Sequence, residues 1–165
     1  MTIIALLELR LPTRWLLVAG MMLVTFLFGT DLFSSQNTSP IVRWVLSWFL
    51  PRGTDIQVLG GGEGFLRKTA HFLEYALLAY LWWRALRGDS REWKWRWVIL
   101  AWTVTTLWAM VDELQQGLFS RQRTGNPWDV VIDSSGALTA MILVCLFTRK
   151  DVNHQKESQS NQYPP

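Results

Sequence analysis

The sequence predicts an all-α, polytopic membrane protein, a bundle of four transmembrane helices with a short interfacial helix after the first. Three observations carry that expectation. The apolar residues, half of the chain, gather in blocks with the charges between them. Eleven tryptophans stand in 165 residues, many beside Arg or Lys, and an amphipathic ring next to a cation suits a membrane–water interface. The acidic residues and the histidine that interrupt these blocks fall near their ends. The length fits one domain. Cys145 is the only cysteine, which excludes an internal disulfide and a cysteine-based zinc site. A net charge of +3 is too small to suggest a nucleic-acid binder, so none is expected as a partner.

The first span runs from Trp15 to Thr30, sixteen residues without a charge. A crossing helix needs about 20 residues, so it should continue to about Phe33. Arg10 and Arg14 before an apolar core resemble a signal peptide, but no A-x-A-like cleavage site follows, and the stretch is expected to be retained. Ile41–Leu50 is too short to cross and is ended by Pro51, which suits a helix lying in the interface plane. Gly60–Gly64 is expected to be a flexible loop. The nearby Lys68-Thr69 does not make a P-loop, because Arg67 stands where a glycine is required. The second span runs from about Arg67 to Arg84, the third from Trp95 to about Leu114, and the fourth from about Val130 to Thr148. Residues 1–149 thus form a membrane domain, and the polar tail at 150–165 should be disordered and cytoplasmic. His154 in that tail has no partner in view.

The third and fourth spans have charge-free stretches of only fifteen residues, Trp97–Val111 and Ser134–Thr148. Each helix must extend into its own acidic residues to cross. Charges at that depth are costly and usually face the bundle interior or a wet cavity. The Lys and Arg residues number ten on the side of the termini and six on the other, which places both termini in the cytoplasm. Ser34, Ser35 and Gln36, Lys68, His71 and Glu74, Asp112, Glu113 and Gln116, and Asp129 and Asp133 then all fall at one membrane face.

On a helix, Lys68, His71 and Glu74 project from one face, as do Asp112, Gln115 and Gln116 on the next, and Asp129 and Asp133 on the last. A carboxylate beside an imidazole can orient it as a general base. Arg123 could grip a phosphate or carboxylate bidentately. His71, Glu74, Asp112 and Glu113 are the catalytic candidates. Ser35, Gln36, Lys68, Gln116, Arg123, Asp129 and Asp133 are the binding candidates, for an anionic headgroup. The plain alternative is that these helix ends pair and set helix order. The four catalytic candidates could in principle ligate zinc. There is neither an H-E-x-x-H run nor a second well-placed histidine, so no metal and no cofactor is expected. Ser34, Ser35 and Ser134 lack a nucleophile-elbow context. The run Arg91–Trp97 should anchor at the headgroup layer, and Gly136 with Ala140 should let the last helix approach another closely.

These residues also form blocks. Phe33-Ser34-Ser35-Gln36 follows the first span, and Arg67-Lys68-x-x-His71-Phe72-x-Glu74-Tyr75 opens the second. Asp112-Glu113-x-x-Gln116 closes the third. Arg123-Thr124-Gly125 leads into Asp129-Val130-x-Ile132-Asp133-x-x-Gly136. In this order the blocks resemble the VanZ-like family over about residues 15–148. The stretch Leu118–Gln122 departs from the family's usual Pro-Gly lead-in and is about one residue longer, which makes Arg123 the better match to the family's arginine. The resemblance implies a bacterial cell-membrane protein and a VanZ-like domain over 1–149. The family is named for an accessory protein of a glycopeptide-resistance cluster linked to low-level teicoplanin resistance, and no settled reaction is attached to most of its relatives.

Two functions follow. One is an enzyme acting on an anionic, lipid-linked or headgroup substrate at the outer face. The other is a non-catalytic binding or assembly factor, with membrane lipids or lipid-linked envelope precursors as its partners. A transporter would usually show broken helices or inverted repeats, and neither is present.

Overall fold

Five helices and no strand make up the described part of the computed structural model, which covers residues 11–30, 35–49, 56–90, 92–119 and 126–162. Helix α1 spans Leu11–Phe28, with Pro12 in its first turn, where a missing N–H costs nothing. Gly29 and Thr30 close it with bonds back to the carbonyls of Thr25 and Leu27. Helix α2 spans Ser35–Leu46 and is short and amphipathic. Helix α3 spans Ile56–Arg87, and Gly88 beyond it adopts φ 62°, the left-handed cap conformation that glycine enters without a Cβ clash. Helix α4 spans Trp95–Phe119. Helix α5 spans Pro127–Gln162. It begins where Asn126 Oδ1 accepts the Trp128 N–H at 3.3 Å, with Pro127 at the first helical position and Asp129 in the first turn.

Helix α3 is the centre of the bundle, packed on α5, α4 and α1, with α2 on its N-terminal half. The interior is built from small residues. Ala79, Ala101, Ala109, Ala137 and Ala140 are buried, together with Tyr75, Leu78 and Met141. The large aliphatic side chains point outward, among them Leu16 and Leu23 on α1, Leu73 and Leu77 on α3, Leu107 and Leu114 on α4, and Ile142 and Phe147 on α5. Small residues inside and large apolar residues outside is the pattern of helices that pack in lipid, where close backbone approach replaces hydrophobic burial. The tightest approach is at Gly136, where an added Cβ would stand 2.2 Å from the Phe72 carbonyl oxygen.

Two segments, Trp95–Leu118 and Pro127–Thr148, are long and apolar enough to cross a membrane. Only 28% of each window is buried, so neither is the covered core helix of a water-soluble domain. The apolar part of α1, Thr13–Phe28, is shorter, and α3 is interrupted by His71 and Glu74.

Several boundaries differ from the sequence expectation. The short helix lies at Ser35–Leu46 rather than at residues 41–50. Helix α1 stops at Phe28 rather than near Phe33, and its last turn tightens where the Thr30 N–H bonds to the Leu27 carbonyl, three residues back. The glycine run is not a loop but part of α3. Each glycine inside a helix costs about 1 kcal/mol relative to alanine. Contacts from α2 offset that cost: Ser39 Oγ donates to Glu63 at 2.8 Å, Arg43 pairs with Glu63, and Arg67 donates to Thr38. The hydrogen bonds from Arg43 and Ser39 hold the Glu63 carboxyl below its usual range. Helix α5 runs on to Gln162, through the polar segment expected to be disordered. That segment has no Gly or Pro before Pro164, and extending an existing helix costs far less than starting one.

Candidate functional site

Gly29 in α1, His71 in α3, Asp112 in α4 and Asp133 in α5 stand at one level of the bundle. Counting 1.5 Å per residue, they lie about 22–26 Å along their helices from Arg14, Arg87, Trp95 and Thr148 at the other end. The bundle therefore has an acidic end and a basic end.

Asp112 is the centre of the acidic end, 3% exposed. Its Oδ2 accepts the Tyr75 hydroxyl at 3.2 Å and the Gln116 amide at 3.0 Å. Gln116 reaches it because the two are four apart on α4. Tyr75 reaches it from α3 and is fully buried. The other carboxylate oxygen faces α1, where a Cβ on Gly29 would come within 2.5 Å of it. The close approach of α1 thus depends on glycine at that position.

Beside this network, His71 Nδ1 lies 3.8 Å from Asp133 Oδ1. This is ion-pair range rather than a hydrogen bond. Asp133 is buried and His71 partly open. Asp133 also lies within electrostatic range of Asp112, Asp129, Glu113 and Glu74. Glu74 Oε1 is buried and accepts no hydrogen bond among the described residues. Glu113 accepts the backbone N–H of Asn126 and so ties the end of α4 to the start of α5. Lys68 is exposed, one turn before His71 on the same helix. Higher in the bundle, Ser134 and Thr106 share a hydrogen bond of 3.0 Å, and the Trp108 indole donates to Thr25 at 2.8 Å.

The geometry brings together His71, Glu74, Asp112, Glu113, Gln116, Asp129 and Asp133. Ser35 and Gln36 lie in the first turn of α2, and their side chains fall outside the described residues. Arg123 also lies outside them. Tyr75 was not among the candidates, although the signal was present: it is four residues after His71, on the same helix face. The two glycines, Gly29 and Gly136, are equally part of the site, because each holds two helices at the distance the polar contacts need. Among the described residues no group of three or more His, Cys, Asp or Glu side chains is arranged to hold a metal ion.

A bundle of apolar helices with a carboxylate-rich level near one end defines the class, a helical membrane protein. Over residues 14–148 the chain matches the VanZ/LLP1 family, and it belongs to that family. No curated protein and no solved structure matches it.

Proposed function

We propose that the chain crosses a bacterial cell membrane four times, through α1, the His71–Arg87 part of α3, α4 and the first part of α5. Both termini are in the cytoplasm and the acidic end faces the envelope. The outward apolar faces of all four helices support that placement, and charge asymmetry orients it. At the acidic end the protein acts as an enzyme on an anionic lipid-linked or headgroup substrate. His71 accepts a proton from a hydroxyl or water, and Asp133 orients its ring and balances the imidazolium. Catalytic contacts of this kind are often long before substrate binds. Lys68 and Arg123 receive the anionic group, with Ser35 and Gln36 at the rim. Tyr75, Asp112 and Gln116 hold α3 and α4 in register beneath. Loss of such an activity would alter envelope precursors and, with them, susceptibility to teicoplanin.

The observation that carries this reading is the His71–Asp133 pair of 3.8 Å, supplied by two helices at the depth where Asp112 is held by two donors. Mass spectrometry of total envelope lipids tests it in a deletion strain and in strains restored with wild type, His71→Ala or Asp133→Asn. A lipid species seen only with wild type is expected. Identical profiles in all four strains would remove the catalytic role.

One observation favours a second, non-catalytic reading. Asp112 accepts from Tyr75 and Gln116 through Oδ2, and its Oδ1 is pressed against Gly29, as in a residue that sets helix order. The protein then binds or presents an envelope component without changing it. In that case the lipid profiles coincide, and Arg123→Ala lowers the amount of anionic lipid that copurifies.

A further inference from the structure

At the basic end, α1 and α3 bury hydrogen-bond donors that meet no acceptor among the described residues. Arg14, in the first turn of α1, is 4% exposed. Its guanidinium has five N–H donors and no acceptor. Among the described residues Nη2 alone has a partner, Asp89 in the turn after α3, and the Asp89 side chain is itself 71% exposed. Nε and Nη1 are buried and donate no hydrogen bond among the described residues. Nη1 lies beside the end of α3, 3.8 Å from where a Cβ on Gly88 would stand. The Trp82 indole is another buried donor without an acceptor. Its ring stands edge-on to Trp15, with centroids 5.7 Å apart. A buried cation with most of its donors unmet is costly unless an acceptor is supplied from outside the chain.

We infer that this seam between α1 and α3 binds the phosphate of an anionic phospholipid, with Arg14 as its principal ligand. Apart from the exposed Asp89 carboxylate, the described groups at the site are donors, and Arg84, Arg87, Lys94 and Arg96 make this end of the bundle basic, so the ligand is an anion. Its depth makes it a lipid. Arg14 stands at the start of the apolar part of α1, and Trp15, Leu16 and Leu17 directly beyond it are exposed, which gives an acyl chain a surface to follow. A free phosphate would meet the same donors and nothing more. Asp89 stands where the phosphate would bind Arg14, and its exposure leaves it free to swing outward as the lipid enters. This inference rests on the membrane placement proposed above and is independent of the chemistry at the acidic end.

The test uses the full chain purified in a neutral detergent. Native mass spectrometry and the thermal midpoint are read with added phosphatidylglycerol, phosphatidylcholine or inorganic phosphate. Phosphatidylglycerol should be retained about tenfold more than phosphatidylcholine, and inorganic phosphate at millimolar concentration should not displace it. Arg14→Gln should bring the two lipids to equal retention. Asp89→Asn should have a lower midpoint without lipid, and phosphatidylglycerol should restore it, because the lipid phosphate replaces the lost carboxylate. Should Arg14→Gln fail to fold, the Asp89→Asn rescue decides alone. Equal retention of both lipids by wild type, or no rescue of Asp89→Asn, overturns the inference. Full displacement by inorganic phosphate overturns the lipid as its source. Membrane fractionation of each variant is scored separately, so that failure of the membrane placement is not mistaken for failure of the site.

Discussion

At the acidic end of the bundle, donors and acceptors from three helices meet, and two glycines let the backbones close around them. At the basic end, Arg14 and the Trp82 indole carry buried donors with no acceptor among the described residues, while Arg87 and Arg96 rest over the rings of Trp83 and Trp97. The first arrangement is held by backbone approach at those glycines, and Glu74 Oε1, Gln115 Oε1 and Asp133 Oδ1, buried there without a hydrogen bond among the described residues, are acceptors. The second has donors left over, which an anionic lipid would meet. The acidic end should therefore be sensitive to small changes in packing and hardly sensitive to lipid, and the basic end the reverse.

The largest effect should come from Gly136→Ala. The new Cβ would meet the Phe72 backbone at 2.2 Å, and backbone cannot step aside as a flexible side chain can. A loss of about 3 kcal/mol is expected, measured as unfolding in detergent. Gly20→Ala is the control, because a Cβ there meets nothing within 4 Å. A Gly136→Ala protein as stable as that control would show that α3 and α5 are not in the described contact.

Gly29→Ala should cost about 2 kcal/mol. Its nearest obstacle is the Asp112 side chain, at 2.5 Å, which can move, but only by leaving Tyr75 and Gln116. Combining it with Tyr75→Phe should cost less than the sum of the two, since both break the same contact. Strict additivity would separate Gly29 from the Asp112 network.

Tyr75→Phe alone keeps the ring and removes one donor from Asp112, for about 1 kcal/mol. If Tyr75 only holds helices in place, lipid turnover should fall no more than the amount of folded protein does. A larger fall in turnover would place the Tyr75 hydroxyl in the chemistry.

The smallest effect is at Glu63, outside the spans. Its carboxyl is held below the ordinary value of 4.5, first by Arg43 and then by Ser39. A lowered value means that the pairing stabilises the fold above pH 4.5 and is lost as pH falls through the native value. Glu63→Gln should cost about 0.5 kcal/mol near neutral pH and flatten the stability curve below pH 4.5. Parallel curves for the two proteins between pH 3 and 6 would show that the tie from α2 contributes nothing.

What could be read without coordinates was depth and face. Apolar blocks with polar ends marked where helices run, and the spacing of Lys68, His71 and Glu74 put them on one face. The small-xxx-small pair of Gly136 and Ala140 also marked a point of close approach. The extents of α2, α3 and α5 were harder to read. A glycine run has low helix propensity on its own, and the contacts that hold Gly60–Gly64 in α3 come from Ser39 and Arg43, some twenty residues earlier.

The sequence by itself therefore determined an all-helical chain of the VanZ/LLP1 family, with His71, Glu74, Asp112, Gln116 and Asp133 toward one end of its helices and the larger share of its Lys and Arg toward the other. Tertiary structure decided which of them meet. Whether Asp112 faces Tyr75 or His71, and whether Asp133 reaches His71 at all, depends on how far each helix is rotated about its own axis. That rotation is set by backbone approach at Gly136 and Gly29. A one-dimensional pattern records the face a residue occupies but not the neighbour that face is turned toward.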